Sequence, residues 1–187
     1  MRKFMVLLAA LLMVLGLAAC SSKGNSEVNT ETASSPEKTD VKKEMVNFYM
    51  ELGNIINAKN ADLNSFEAYI EKIINAKNVD LNSVEADVAN AIEKIPEEKT
   101  KASESATAVV DALKKVQVPA TLKDQKTDLD AAIKDYIASY QMKADELKKD
   151  SPSFDKANAT FKQGEEKLGK AYESVKLLPP SLGKQVN

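Results

Sequence analysis

The chain has 187 residues, with 26 basic and 28 acidic side chains for a formal charge of −2, and 43% of its residues are hydrophobic. That is enough for one domain with a real core, and Arg2 is the sole arginine, so neither a basic surplus nor an arginine fork is available for nucleic acid. Histidine is absent and Cys20 is the only cysteine, which removes the commonest general base and transition-metal ligand and any internal disulfide.

From the N-terminus, Arg2 and Lys3 precede an apolar run from Phe4 to Leu15, and Leu17-Ala18-Ala19-Cys20 follows. A positive start, a short apolar core and small residues at a cleavage point make an export signal, so residues 1–19 are expected to be removed. The run is shorter than the ~20 residues a membrane-spanning helix needs. Leu17-Ala18-Ala19-Cys20 resembles the lipobox of bacterial lipoprotein precursors, and this resemblance covers only the leader. It implies a diacylglyceryl group on the Cys20 sulfur, cleavage between Ala19 and Cys20, and palmitate-type acyl chains on a protein held at the extracytoplasmic face of the cell membrane. Two or more acyl chains, at ~0.8 kcal/mol per buried methylene, anchor firmly where one is marginal. An acylated Cys20 leaves no thiol for nucleophilic catalysis. Loss of Arg2 and Lys3 leaves 24 positive against 28 negative residues, or −4. Lysine, asparagine and isoleucine in place of arginine point to an AT-rich genome, and with the lipobox to a Firmicute-like source.

Residues 20–40 are Ser, Thr, Asn, Glu and Lys with almost nothing to bury, and read as a lipidated flexible linker. Residues 41–187 read as the folded domain. Ser35-Pro36 has the form of a helix start, with Ser as cap and Pro in the first turn, although the apolar stripe begins nearer Asp40. That stripe, Met45, Phe48, Leu52, Ile55, Ile56, Leu63, Phe66, Ile70, Ile73, Ile74, Leu81, Val84, Val88, Ile92 and Ile95, is interrupted only at Lys59 and Lys77. It runs through a duplication: Ile55 to Ala68 returns as Ile73 to Ala86 with twelve of fourteen positions identical and a period of 18 residues. Eighteen residues are five turns of α-helix, so a copy inserted into an unbroken helix keeps its apolar face aligned. An unbroken helix to Ile95 would be about 90 Å long at 1.5 Å per residue, against about 30 to 45 Å for its partners. Either the chain breaks at Asn60-Ala61-Asp62 or at Asn78-Val79-Asp80, or the helix projects past the bundle as a stalk. Asn and Asp compete for backbone hydrogen bonds and favour turns, so at least one break is expected.

The same clusters superficially match a calcium loop, with Asn60, Asp62, Asn64 and Glu71 in its first, third, fifth and twelfth places. Ser65 stands where the sharp turn requires glycine and Glu67 where an apolar residue belongs, so no metal site is assigned and the residues read as a capping turn or polar face.

Three further stripes follow. Ala102, Ala106, Val109, Val110, Leu113 and Val116 lie between Pro96 and Pro119. Leu122, Leu129, Ile133, Tyr136, Ile137, Tyr140, Ala144 and Leu147 form the second. Phe154, Ala157, Phe161, Leu168, Ala171, Tyr172, Val175 and Leu178 form the third, all at steps of three and four. Pro96, Pro119, Pro152 and Pro179-Pro180 suit turns between helices. Gly164 and Gly169 suit close packing against a neighbour, not a phosphate loop. The aromatics fall on the stripes, with Tyr49 and Tyr69 at the edges as partner-surface candidates. Adjacent carboxylates at Glu97-Glu98, Asp145-Glu146 and Glu165-Glu166 point along different helical bearings and read as solvated faces, so no catalytic residue and no cofactor is assigned. The expectation is an all-α, elongated up-and-down bundle of three to four main helices. Its role is read as non-enzymatic, binding or spacing at the envelope, with membrane contact through the Cys20 lipid and an envelope protein, wall polymer or envelope-directed toxin as partner. The competing reading is a solute-binding lipoprotein associated with a transporter, a class that usually needs two α/β lobes.

Overall fold

A computed structural model describes residues 36–77 and 85–186, and these form an all-α bundle. Five long helices appear among the described residues: α1 (Pro36–Asn57), α2 (Ala61–Lys77), α3 (Glu85–Leu113), α4 (Lys126–Glu146) and α5 (Asp155–Ser174). A single 3-10 turn, Ala120–Leu122, precedes α4, and a one-turn helix α6 (Gly183–Val186) follows α5. α1 opens at Pro36, whose fixed φ and missing N–H suit a first turn, four residues before the linker was expected to end.

The stretch read as one stripe divides at Ala58-Lys59-Asn60. Met45, Phe48, Leu52 and Ile56 are buried on α1, and Leu63 and Phe66 on α2. The first copy of the duplication therefore spans the end of α1, the break and the start of α2. The second copy spans the end of α2 and the start of α3, and its residues 78–84 lie outside the described ones. A break inside a copy means that the copy does not lengthen a continuous helix, which removes the alignment argument for a stalk.

α3 is the central helix, touching α1, α2 and α4. Its buried face is small, Ala102, Ala106, Val109, Val110 and Leu113, so neighbouring backbones approach it closely. Pro96 lies within α3, where the sequence suggested a turn. It sits on the solvent side, so water can satisfy the carbonyl four residues back that its ring leaves without a donor. Pro119, Pro152, Pro179 and Pro180 do fall in connections.

Side-chain bonds show the order of packing. Ser103 donates to the Ala144 carbonyl at 3.1 Å and Lys99 to the Lys149 carbonyl, which sets α4 antiparallel to α3. Lys167 bonds Asp135, Thr160 touches Met142 and Gln125 bonds Ser174, which sets α5 antiparallel to α4. Leu129, Ile133, Tyr136, Tyr140, Ala144 and Leu147 fill the α4 face, and Ala157, Leu168, Ala171 and Tyr172 the α5 face. A Cβ at Gly164 would stand 2.7 Å from the Tyr136 ring, so this glycine lets the ring lie against α5. Leu178, counted in the α5 stripe by period, is 89% exposed. The helix has ended at Ser174, and the Leu177 N–H to Tyr172 O and Lys176 N–H to Glu173 O bonds close a Schellman turn that reverses the chain. Lys176 occupies its left-handed position at φ 60°.

Candidate functional site

The break between α1 and α2 leaves carbonyls at the end of one helix and N–H groups at the start of the next without helical partners. Asn60 stands immediately before α2, yet its side chain does not cap it. Ser105 of α3 does so from across the bundle: its hydroxyl donates to the Lys59 carbonyl at 2.5 Å and accepts the Leu63 N–H at 3.4 Å. One buried hydroxyl thus serves both helix ends.

Freed from capping, Asn60 turns to the C-terminal segment. Its Nδ2 donates to the Val186 carbonyl at 2.7 Å, and Asn64 Nδ2 donates to the same oxygen at 2.8 Å. Asn57 Nδ2 donates to the Gln185 carbonyl at 3.1 Å. Further along the segment, the Tyr49 hydroxyl donates to the Ser181 carbonyl at 3.1 Å, while Glu165 Oε1 accepts the Gly183 N–H at 3.0 Å and the Ser181 hydroxyl at 3.1 Å. Leu182 and Val186 are fully buried, four residues apart. A Cβ at Gly53 would come within 2.5 Å of the Gln185 side chain, so glycine makes the room in which residue 185 crosses α1. Residues 181–186 therefore lie in a groove formed by α1, the start of α2 and α5, held by two apolar anchors and by side chains that address main-chain atoms. Burial and the Glu165 charge raise the Tyr49 hydroxyl above its usual pKa, which keeps it a neutral donor.

Beside the groove is a second polar group. The Lys143 ammonium, on a buried side chain, is 2.7 Å from Glu67 Oε1 and lies 5.9 Å and 5.6 Å from the ring centres of Tyr140 and Phe154. The pair ties α4 to α2. Burial, with the Glu67 charge next, pushes the Tyr140 hydroxyl well above the ordinary phenol range, so it stays protonated. Nothing in this arrangement pairs a nucleophile with a base; what it offers is hydrogen-bond donors and apolar pockets for a peptide backbone.

Several sequence-singled residues acquire different roles here. Asn60 and Asn64 use their amides as donors to Val186, while Asp62 and Glu71 are exposed on α2, so the calcium-loop positions do not converge. Tyr49 meets the chain's own C-terminal segment, and Tyr69 is half-buried on α2. Leu17, Ala18, Ala19 and Cys20, with the proposed cleavage and lipidation points, lie outside the described residues. The groove is not visible in the sequence; its signal there is the spacing of Asn57, Asn60 and Asn64 by three and four residues.

Comparison of the chain with protein-family models, with curated proteins and with solved structures finds no match.

Proposed function

We propose that the chain is a membrane-anchored extracytoplasmic lipoprotein that works by binding at the cell envelope, with an envelope protein or wall polymer as its partner. The observation that carries this reading is Leu17-Ala18-Ala19-Cys20 behind the apolar run Phe4–Leu15. No helix among the described residues is long and apolar enough to cross a membrane, and acyl chains on Cys20 supply an anchor that the helices do not. The non-enzymatic part rests on the residue inventory: no histidine in the chain and, after acylation, no thiol.

The transporter-associated solute binder gains little support. That class was expected to need two α/β lobes, whereas the described residues are helical. Two surface clefts among them are open and of mixed charge. One, of about 470 Å³, is bounded by Glu166, Lys170 and Pro179; the other, of about 680 Å³, by Pro96, Lys99 and Lys148.

Metabolic labelling with palmitate tests the anchor. Wild-type chain should carry label and run shorter by its leader, and Cys20→Ser should stay unlabelled and full length. An unlabelled wild type with its leader uncut would overturn the reading. Crosslinking in intact cells tests the binding role, which fails if every crosslink recovered lies within this chain.

A further inference from the structure

The C-terminal segment is held as a peptide ligand is held. Its backbone is read at Ser181, Gly183, Gln185 and Val186, its anchors are Leu182 and Val186, and one chain supplies both sides of the complementarity. Four residues of helix are far too few to persist alone, so α6 exists because the groove shapes it. Such a groove is indifferent to which copy of the chain supplies the segment.

The connection that delivers the segment is unlike the rest of the fold. Lys176 is the only described non-glycine residue with positive φ, a conformation that costs a side-chain-bearing residue free energy. Leu178 is almost fully exposed. Pro179 and Pro180 follow and favour extended backbone, with Pro179 resting on α5 only where Gly169 leaves it room. Beside this contact an open cleft of about 470 Å³ is lined by Pro179, Pro180, Glu166 and Lys170. The hold on the segment is also incomplete, since Asn60 Oδ1 and Gln185 Oε1 are buried without a donor.

We propose that residues 177–186 exchange between two copies of this chain, giving a dimer in which each groove holds the other copy's C-terminal segment. Every groove contact is kept in the exchange. Extending the connection lets Lys176 leave the left-handed region and lets Leu178 of each copy be covered where the two connections run side by side. Stiff, strained or proline-bearing connections favour such swaps for this reason.

The test uses the full chain in detergent. Copies with natural and heavy nitrogen are mixed, unfolded and refolded together, then crosslinked through lysine. Lys184 precedes Gln185 and Val186, whose carbonyls are held by Asn57 and Asn60, and Lys59 adjoins Asn60, so the Lys59–Lys184 link reports groove occupancy. Exchange predicts that about half of these links carry both labels, the statistical share for a random two-fold dimer. It also predicts that Lys176→Gly, which removes the strain of the closed form, weakens the dimer by about tenfold. Lys59–Lys184 links confined to one label overturn the proposal, even if the chain is dimeric by another surface or through its anchor. So does a dimer unmoved by Lys176→Gly, because the strained connection would then not drive the exchange.

Discussion

Two tyrosines on neighbouring helices carry buried hydroxyls with opposite consequences. The Tyr172 hydroxyl donates to the Met45 carbonyl at 2.7 Å and fastens α5 to α1. The Tyr136 hydroxyl is buried without a partner, its ring 4.8 Å from that of Phe161. A net hydrogen bond contributes about 1 kcal/mol, and an unmet buried hydroxyl costs about as much or more. Tyr136→Phe should therefore raise stability by roughly 1 kcal/mol while Tyr172→Phe lowers it by roughly 1 kcal/mol. Urea midpoints at unchanged slope measure both. Equal losses in the two variants would mean that Tyr136 has a partner in solution.

Among the elements, α2 depends most on side chains that belong to others. It contributes Leu63 and Phe66 to the core, and its beginning is capped by Ser105 of α3. Ser105→Ala strands a carbonyl and an N–H together, so a loss of about 1 to 2 kcal/mol is expected. Faster amide exchange at the start of α2 than in α4 would locate the damage. The Lys143–Glu67 pair gives an asymmetric prediction. Side-chain exposure is 10% for Lys143 and 30% for Glu67. Removing Glu67 leaves the ammonium buried, whereas removing Lys143 leaves a carboxylate that water already reaches. Breaking a buried pair from the partner of its more buried member costs most, so Glu67→Ala should cost about 1 to 2 kcal/mol, discounted for the solvent at Glu67. Lys143→Met, which keeps the apolar stem against Tyr140 and Phe154, should cost less than about 1 kcal/mol. The reverse order in thermal melts would show that Lys143 swings its ammonium to solvent.

Across the whole molecule, what was legible in the sequence was whatever recurs with the helical period. The α3, α4 and α5 stripes name the buried faces because each residue's burial follows from its bearing. Asn60 marked the break because amide side chains disfavour helix interiors, yet nothing local said that Ser105, 45 positions away, would cap it. Period also misled at Leu178, where the turn at Lys176 ends the helix first. Residues 181–186 were illegible for a physical reason: bonds to backbone atoms leave every side-chain identity but the anchors Leu182 and Val186 almost free, and one helical turn is too short for a period to be read.

The same packing that hides three tyrosines should decide how the fold fails in alkali. Burial is the leading cause that pushes Tyr136, Tyr140 and Tyr172 far above the ordinary phenol value of 10.0. In the folded chain they hold their protons at a pH where the unfolded chain releases them. A raised folded pKa means that this contribution is complete below pH 10 and is lost as the pH climbs from there toward the folded values. Each such tyrosine removes about 1.4 kcal/mol per pH unit in that window. Urea stability should therefore change little in this respect up to about pH 9.5 and fall steeply above pH 10, with phenolate absorbance appearing together with loss of helix. Tyr140→Phe should lower the slope by about a quarter to a third, since one of the three far-raised tyrosines is gone and Tyr49, raised as well, still contributes. Phenolate formation in all five tyrosines near pH 10 with the circular dichroism intact would show that the rings are open to water, and the packing of α4 against α5 would need to be redrawn.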